Sequence, residues 1–186
     1  EEVVLFKDDT IEIRNIILDH TIVCSGFIFK EIKHKRKIKK EKLDKFEIPF
    51  EKIPELRKGR DIKLDNGKVI INSDVTKDPT APFSYAYCTD TRFCSDIVKK
   101  IKNADVLYHE ATFSDKDFEI ANKTGHSTTK EAAKIAKKAN VKRLIIGHYS
   151  KRYSNLNELL QESKEIFENT FLAKEGDILD FETLYK

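Results

Sequence analysis

Ser84-Tyr85-Ala86-Tyr87-Cys88-Thr89-Asp90-Thr91 is a short aromatic and apolar run that ends on a carboxylate. It predicts a strand over 84–88, and the segments after it alternate in kind. A helix is expected over 95–102, a strand over 104–108, a helical segment near 115–122, a helix over 128–139 and a strand over 142–147. A helix over 156–167 and a closing strand near 177–181 finish the series. Strands alternating with helices predict a layered α/β sheet. At 186 residues the chain suffices for one domain with a real core and is short for two.

Polar residues sit where these runs stop. Asp90 follows the first strand, His109-Glu110-Ala111-Thr112-Phe113 follows the second, Gly125-His126-Ser127-Thr128 opens a helix, and Gly147-His148-Tyr149-Ser150 follows the third strand. All can collect at the carboxyl ends of neighbouring strands. An Asp and several His at one sheet edge are the ingredients of a hard or borderline metal site. One histidine after a strand is usually a packing or capping residue, but four polar groups after four elements are harder to explain that way. His109 is expected to be structural, because adjacent residues on a strand point in opposite directions. The helix over 128–139 has Ser127 or Thr128 to cap it, Glu131 near its positive end, and a stripe of Ala132, Ala133, Ile135, Ala136 and Ala139 for close packing. That places His126 at a helix N-terminus.

Composition narrows the class. With 39% hydrophobic and 36% charged residues the chain is globular and unusually charged, yet its formal net charge is only +3. No apolar stretch approaches the roughly 20 residues of a membrane span, so a cytoplasmic protein without a membrane partner is expected. Three cysteines, Cys24, Cys88 and Cys94, show no CxxC spacing, and Cys88 reads as a buried small hydrophobe. The absence of Met suggests that residue 1 is not the natural start and that the chain is a piece of a longer one.

Ahead of the alternating region, 10–17 and 21–29 read as strands with Asp19-His20 between them. The stretch 30–42 then carries eight Lys or Arg against two Glu, too charged for a buried strand, and His34 within it reads as part of a solvated face. A Pro-punctuated patch containing Ile48-Pro49-Phe50 can tether this excursion. Asp65-Asn66-Gly67-Lys68 between 62–64 and 69–71 predicts a hairpin with a type I′ turn.

The motifs Thr89-Asp90-Thr91, His109-Glu110-Ala111-Thr112, His126-Ser127-Thr128 and His148-Tyr149-Ser150-Lys151-Arg152-Tyr153 resemble those of the ribonuclease Z family, tRNA 3′-processing endonucleases of the metallo-β-lactamase superfamily. The resemblance runs from about residue 16 to 181. It implies an αββα metallo-β-lactamase sandwich, of which residues 1–186 are the C-terminal portion, with a protruding basic arm, or exosite, inserted at 30–58. It implies two zinc ions per complete site, with His20 on the first, Asp90 bridging both and His148 on the second. His126 is then the acid facing the phosphate and Glu110 its orienter. Lys33, Lys35, Arg36, Lys37, Lys39 and Lys40 are the expected RNA-binding residues, gripping precursor tRNA by counterion release. The family's His-x-His-x-Asp-His motif is absent from these residues, so the remaining ligands are expected from an N-terminal half, and the fragment alone is expected to be inactive. A Gly-Pro-rich arm tip is also missing. The resemblance further implies a homodimer. Another phosphodiesterase of the same fold, or a non-catalytic RNA-binding module, are the alternatives. The basic run argues against the first and retention of His20, Asp90, His126 and His148 against the second.

Overall fold

A computed structural model describes residues 3–180 and divides the chain into two compact units, Glu1–Lys30 with Phe83–Lys186, and Glu31–Pro82. The first unit contains a seven-stranded sheet whose spatial order follows the sequence: β1 (Val4–Lys7), β2 (Ile11–Leu18), β3 (Cys24–Glu31), β4 (Ser84–Cys88), β5 (Val106–Glu110), β6 (Arg143–Gly147) and β7 (Thr170–Leu172). β1 and β2 are antiparallel, as are β3 and β4, whereas β4 through β7 are parallel. The helices α1 (Ser95–Lys100), α2 (Phe118–Thr124), α3 (Thr129–Ala139) and α4 (Leu156–Lys164) lie in the crossovers between those parallel strands.

This topology fixes where the core lies. Successive crossovers that advance in one direction and share one hand return to the same face of a sheet. Accordingly the main core joins alternate residues of the strands, such as Ile16, Leu18, Ile28, Ala86, Cys88, Leu107, Leu144 and Ile146, to Ile97 of α1, Ile101 just past its end and the alanine stripe of α3. The stripe does what its residues suggest: five small or β-branched side chains, all buried, bring α3 close to the sheet.

On the opposite face the other half of each strand's residues forms cross-strand rows. Phe27 pairs with Tyr87, Tyr87 with Tyr108, Tyr108 with Ile145 and Ile145 with Phe171, one row across five strands. The Tyr87 and Tyr108 rings stack at 4.8 Å, and Phe29 stacks on Tyr85 at 5.9 Å. These rings are only half-buried, and Phe171 is 44% exposed.

Several boundaries differ from the expected ones. β5 starts two residues later and runs on through Glu110, because the parallel pairing with β6 continues as far as Gly147 opposite Glu110. No strand forms over 177–180, and position 181 lies outside the described residues; the closing strand is β7, which pairs with β6. β1 falls outside every expected strand.

In the unit Glu31–Pro82, Lys37–Ile38 pairs with Thr76–Lys77 and Ile62–Lys63 pairs with Val69–Ile70. Ile48, Leu56, Ile62, Leu64, Ile70 and Val75 are buried together as a small core of its own. The expected hairpin is present with a different turn. A type I′ turn needs positive φ at both central residues, but among the turn residues only Gly67 has it, at 82°. Gly67 N–H donates to Leu64 O and Leu64 N–H to Lys68 O, the pattern of a type I turn followed by a left-handed glycine.

Candidate metal and catalytic site

Because β4, β5 and β6 are parallel and adjacent, their carboxyl ends share one edge. Asp90 lies two residues past β4, Glu110 ends β5 and His148 is the first residue past β6. Asp90 and His148 both take left-handed backbone, with φ of 52° and 59°. Non-glycine residues rarely adopt it, and such strain concentrates at functional sites. His126 enters from the segment between α2 and α3. Ligand-type atoms of Asp90, Glu110, His126 and His148 all lie within 4.8 Å of one another.

Glu110 organises the group. Its side chain is fully buried, and its two oxygens accept four hydrogen bonds. Oε1 accepts from Thr91 N–H at 2.6 Å and from His126 Nδ1 at 2.9 Å; Oε2 accepts from the Thr112 hydroxyl at 2.5 Å and from Ser127 N–H at 3.1 Å. Burial pushes the carboxyl pKa up, but the hydrogen bonds from His126 and Thr112 outweigh it and hold it below the ordinary value. In return the Glu110 contact raises the pKa of His126 against the opposing effect of burial, so this imidazole keeps its proton to higher pH than a free histidine. The carboxylate's four acceptor positions are used, which leaves Asp90 and the imidazoles other than that of His126 as the donors for an ion.

His148 Nε2 faces Asp90 Oδ1 at 3.4 Å, and its Nδ1 meets Thr112 Oγ1 at 2.8 Å. An imidazole nitrogen and a carboxylate converging at that distance are the borderline and hard donors that zinc-type ions take. His20 lies against this group and outside it. Its ring is 4.9 Å from that of His126, and its Nδ1 donates to Gly125 O at 2.7 Å. Gly125 serves this contact twice. Its φ of 84° ends α2 in the left-handed conformation, and a Cβ there would fall 2.7 Å from His20 Nδ1.

Two further expectations are answered by burial. His109 is fully buried, donates from Nδ1 to Glu110 O at 2.6 Å and is pushed toward the neutral form by desolvation, as a structural residue is. Its Nε2 is buried with no partner among the described residues. Cys88 is fully buried, and burial raises its thiol pKa to about 12, which makes it inert. His126 is placed less directly at a helix N-terminus than its sequence position suggests. It stands two residues before the Thr128 cap, and Glu131 N–H and Thr129 N–H are already taken by Thr128 Oγ1 and Phe113 O.

The basic residues lie in the unit Glu31–Pro82 and do not form a uniform set. Lys33, Lys35, Lys37 and Lys40 are exposed, as is His34. Arg36 donates to Thr76 Oγ1 at 2.7 Å and pairs with Asp78, and Lys39 Nζ donates to the Ser73 and Asp74 carbonyls at 3.0 Å each. Those two cations hold their own unit together. Thr112 escaped the sequence reading, although it stands two residues after Glu110, and residues spaced by two at a strand end share a side.

A Beta-lactamase superfamily domain matches residues 75–149, which include Asp90, Glu110, His126 and His148. Ribonuclease Z of Parabacteroides distasonis is 41% identical over 172 residues, covering 92% of this chain and 57% of that protein. Ribonuclease Z of Bacteroides fragilis is 38% identical over 173 residues, covering 93% and 57%. The chain thus spans 57% of the length of these curated relatives, their C-terminal part. Among solved structures, a long form RNase Z from yeast superposes with a TM-score of 0.58 at 21% identity, over 94% of this chain and 18% of that one. Human tRNase Z, short form, gives 0.55 at 21% identity over 96% and 46%, and a metallo-β-lactamase fold protein from Bacillus subtilis gives 0.60 at 18% over 94% and 51%.

Proposed function

From a chain that has the metallo-β-lactamase fold and is similar to the C-terminal part of ribonuclease Z, we propose the C-terminal portion of a zinc-dependent endoribonuclease that removes the 3′ trailer from precursor tRNA. The observation that carries this reading is the His126–Glu110 pair held beside Asp90 and His148 at one sheet edge. In this reading His20 and Asp90 serve a first zinc ion, and Asp90 and His148 a second. When bound, such a pair supplies an activated water and neutralises charge on a phosphodiester.

The chain's own residues do the rest. Glu110 keeps His126 Nδ1 protonated, which orients the ring and stabilises its charged form. His126 then donates to the scissile phosphate or to the leaving 3′ oxygen. Loss of that proton as pH rises through the raised pKa ends its service as an acid. The exposed Lys33, Lys35, Lys37 and Lys40 neutralise tRNA phosphates and take no part in the chemistry. Over Glu31–Pro82 there are fifteen Lys or Arg against ten Asp or Glu, so this unit is more positive than the chain as a whole.

His20, Asp90 and His148 are fewer ligands than two zinc ions take. An N-terminal half, within the part of the relatives' length that this chain does not span, would supply the others. It would also cover the aromatic row of the sheet, beside which Tyr108, Ile145, Phe171, Leu172 and Leu179 line an open cleft of about 460 Å³. Homodimerisation and a cytoplasmic location belong to the same reading; among the described residues no helix is long and apolar enough to cross a membrane.

The test uses the protein at its natural length, with metal analysis and cleavage of a precursor tRNA. The expected result is two zinc ions and release of a 3′ trailer. A protein that binds no metal, or one that binds metal and leaves the precursor intact, defeats the reading.

A further inference from the structure

Thr112 is 6% exposed, and its hydroxyl stands between two groups that the proposed reaction uses. It is 2.5 Å from Glu110 Oε2 and 2.8 Å from His148 Nδ1. A hydroxyl has one proton to give and lone pairs with which to accept. The direction of each bond can therefore be deduced.

Glu110 accepts on every side: two backbone N–H groups, His126 Nδ1 and Thr112. A carboxylate in that setting is ionised and has no proton to share. If the Thr112 hydroxyl pointed its proton at His148, two acceptor oxygens would face each other at 2.5 Å without a hydrogen between them. The proton must lie toward Glu110, where it makes a charge-assisted bond of the short, strong kind. Toward His148 the hydroxyl can only accept, so Nδ1 of that ring carries the proton. In a neutral imidazole the lone pair is then on Nε2, the nitrogen that faces Asp90 at 3.4 Å.

We propose that Thr112 is a positioning residue which, with its own proton committed to Glu110, fixes the His148 ring with Nδ1 protonated and so turns its Nε2 lone pair toward Asp90. The inference rests on the metal-dependent reading given above for what the lone pair is for, but the tautomer itself does not depend on it. One buried carboxylate thereby orients both rings, His126 directly and His148 through a hydroxyl. Outer partners of this kind hold a ligand's ring in place and raise its basicity, and their loss typically costs about 10–100-fold in metal affinity.

The experiment compares the natural-length protein with Thr112→Val, which keeps the shape and deletes the hydroxyl, and Thr112→Ser, which restores it. Nitrogen-15 chemical shifts of the histidine rings in the metal-free protein report the tautomer; competition with a zinc chelator reports affinity. In the wild type and Thr112→Ser, His148 is expected to be protonated at Nδ1. In Thr112→Val the Nε2-protonated form should gain, zinc affinity should drop by about 10–100-fold, and the His126 shifts should stay in place. An Nδ1-protonated His148 in the valine variant, with wild-type zinc affinity, overturns the proposal. So does a serine variant that fails to recover affinity while folding normally by circular dichroism. A wild-type protein that binds no zinc yet shows the tautomer switch would sink the metal reading and leave the positioning role of Thr112 intact.

Discussion

The carboxyl edge of the sheet and the unit Glu31–Pro82 are both rich in charge, and they use it in opposite ways. At the sheet edge Glu110 and three histidines are held in place. Glu110 accepts four hydrogen bonds, His126 and His148 are each held by one nitrogen, and His20 is tied to a backbone carbonyl. In Glu31–Pro82 the cations outnumber the anions, and several of them project outward with no such constraint. Fixed charges perform chemistry at one point, because a donor or ligand must be placed to within a fraction of an ångström. Projecting charges create a field, which acts on a polyanion without demanding geometry.

The largest effect expected from this contrast is at Asp90. Asp90→Ala in the natural-length protein should remove both ions and with them all cleavage, whereas His148→Ala should weaken chiefly one. Two zinc ions retained at full occupancy in the Asp90 variant would show that its carboxylate does not bridge them. Next in size is His126→Ala, which should lower the cleavage rate by roughly 10²–10⁴-fold, the usual worth of a lost general acid, with metal content and tRNA affinity unchanged. Loss of zinc there would mean that an acid has been mistaken for a ligand.

The other region should respond through binding rather than rate. Replacing Lys33, Lys35, Lys37 and Lys40 by Gln should weaken precursor tRNA binding and flatten its dependence on salt, by about 0.9 in the slope of log K against log salt for each phosphate no longer neutralised. Hydrolysis of a small nitrophenyl phosphodiester should not change, since that substrate has no further phosphates for these lysines to hold. Arg36 provides the smallest and sharpest comparison. Because its guanidinium is engaged with Thr76 and Asp78, Arg36→Ala should cost about 1 kcal/mol in the stability of its unit and leave the salt slope nearly unaltered. A slope that falls as much for Arg36 as for a lysine would erase the distinction between cations that build the unit and cations that project from it.

How much of this was legible beforehand differs by region for physical reasons. The alternation from 84 to 147 predicted the layered α/β sheet and its order of strands and helices, since hydrophobic periodicity is set by the same packing that forms them. Asp90, Glu110, His126 and His148 could be gathered on paper because parallel neighbours must end at one edge. Where pairing decides, sequence was a poorer guide: β5 extends to Glu110 because β6 offers it partners, and 177–180 stays irregular while Thr170–Leu172 pairs with β6. The basic run looked homogeneous as a string of letters. Only the fold separates Arg36 and Lys39, whose partners Thr76, Asp78, Ser73 and Asp74 lie more than thirty residues away, from their neighbours. Thr112 was hidden for a similar reason, because a hydroxyl's role depends on what faces it from both sides.

The left-handed backbone at Asp90 and His148 has a consequence for anyone who breeds this protein for durability. A side chain in that conformation costs on the order of 1–2 kcal/mol that glycine avoids, offset in part by glycine's greater freedom in the unfolded chain. Directed evolution under heat selection alone therefore has an incentive to install glycine at 90 and 148, the two positions where the proposed chemistry most needs a carboxylate and an imidazole. A thermostability library should be screened with activity as a second gate, for without it the scaffold would improve by discarding its own machinery.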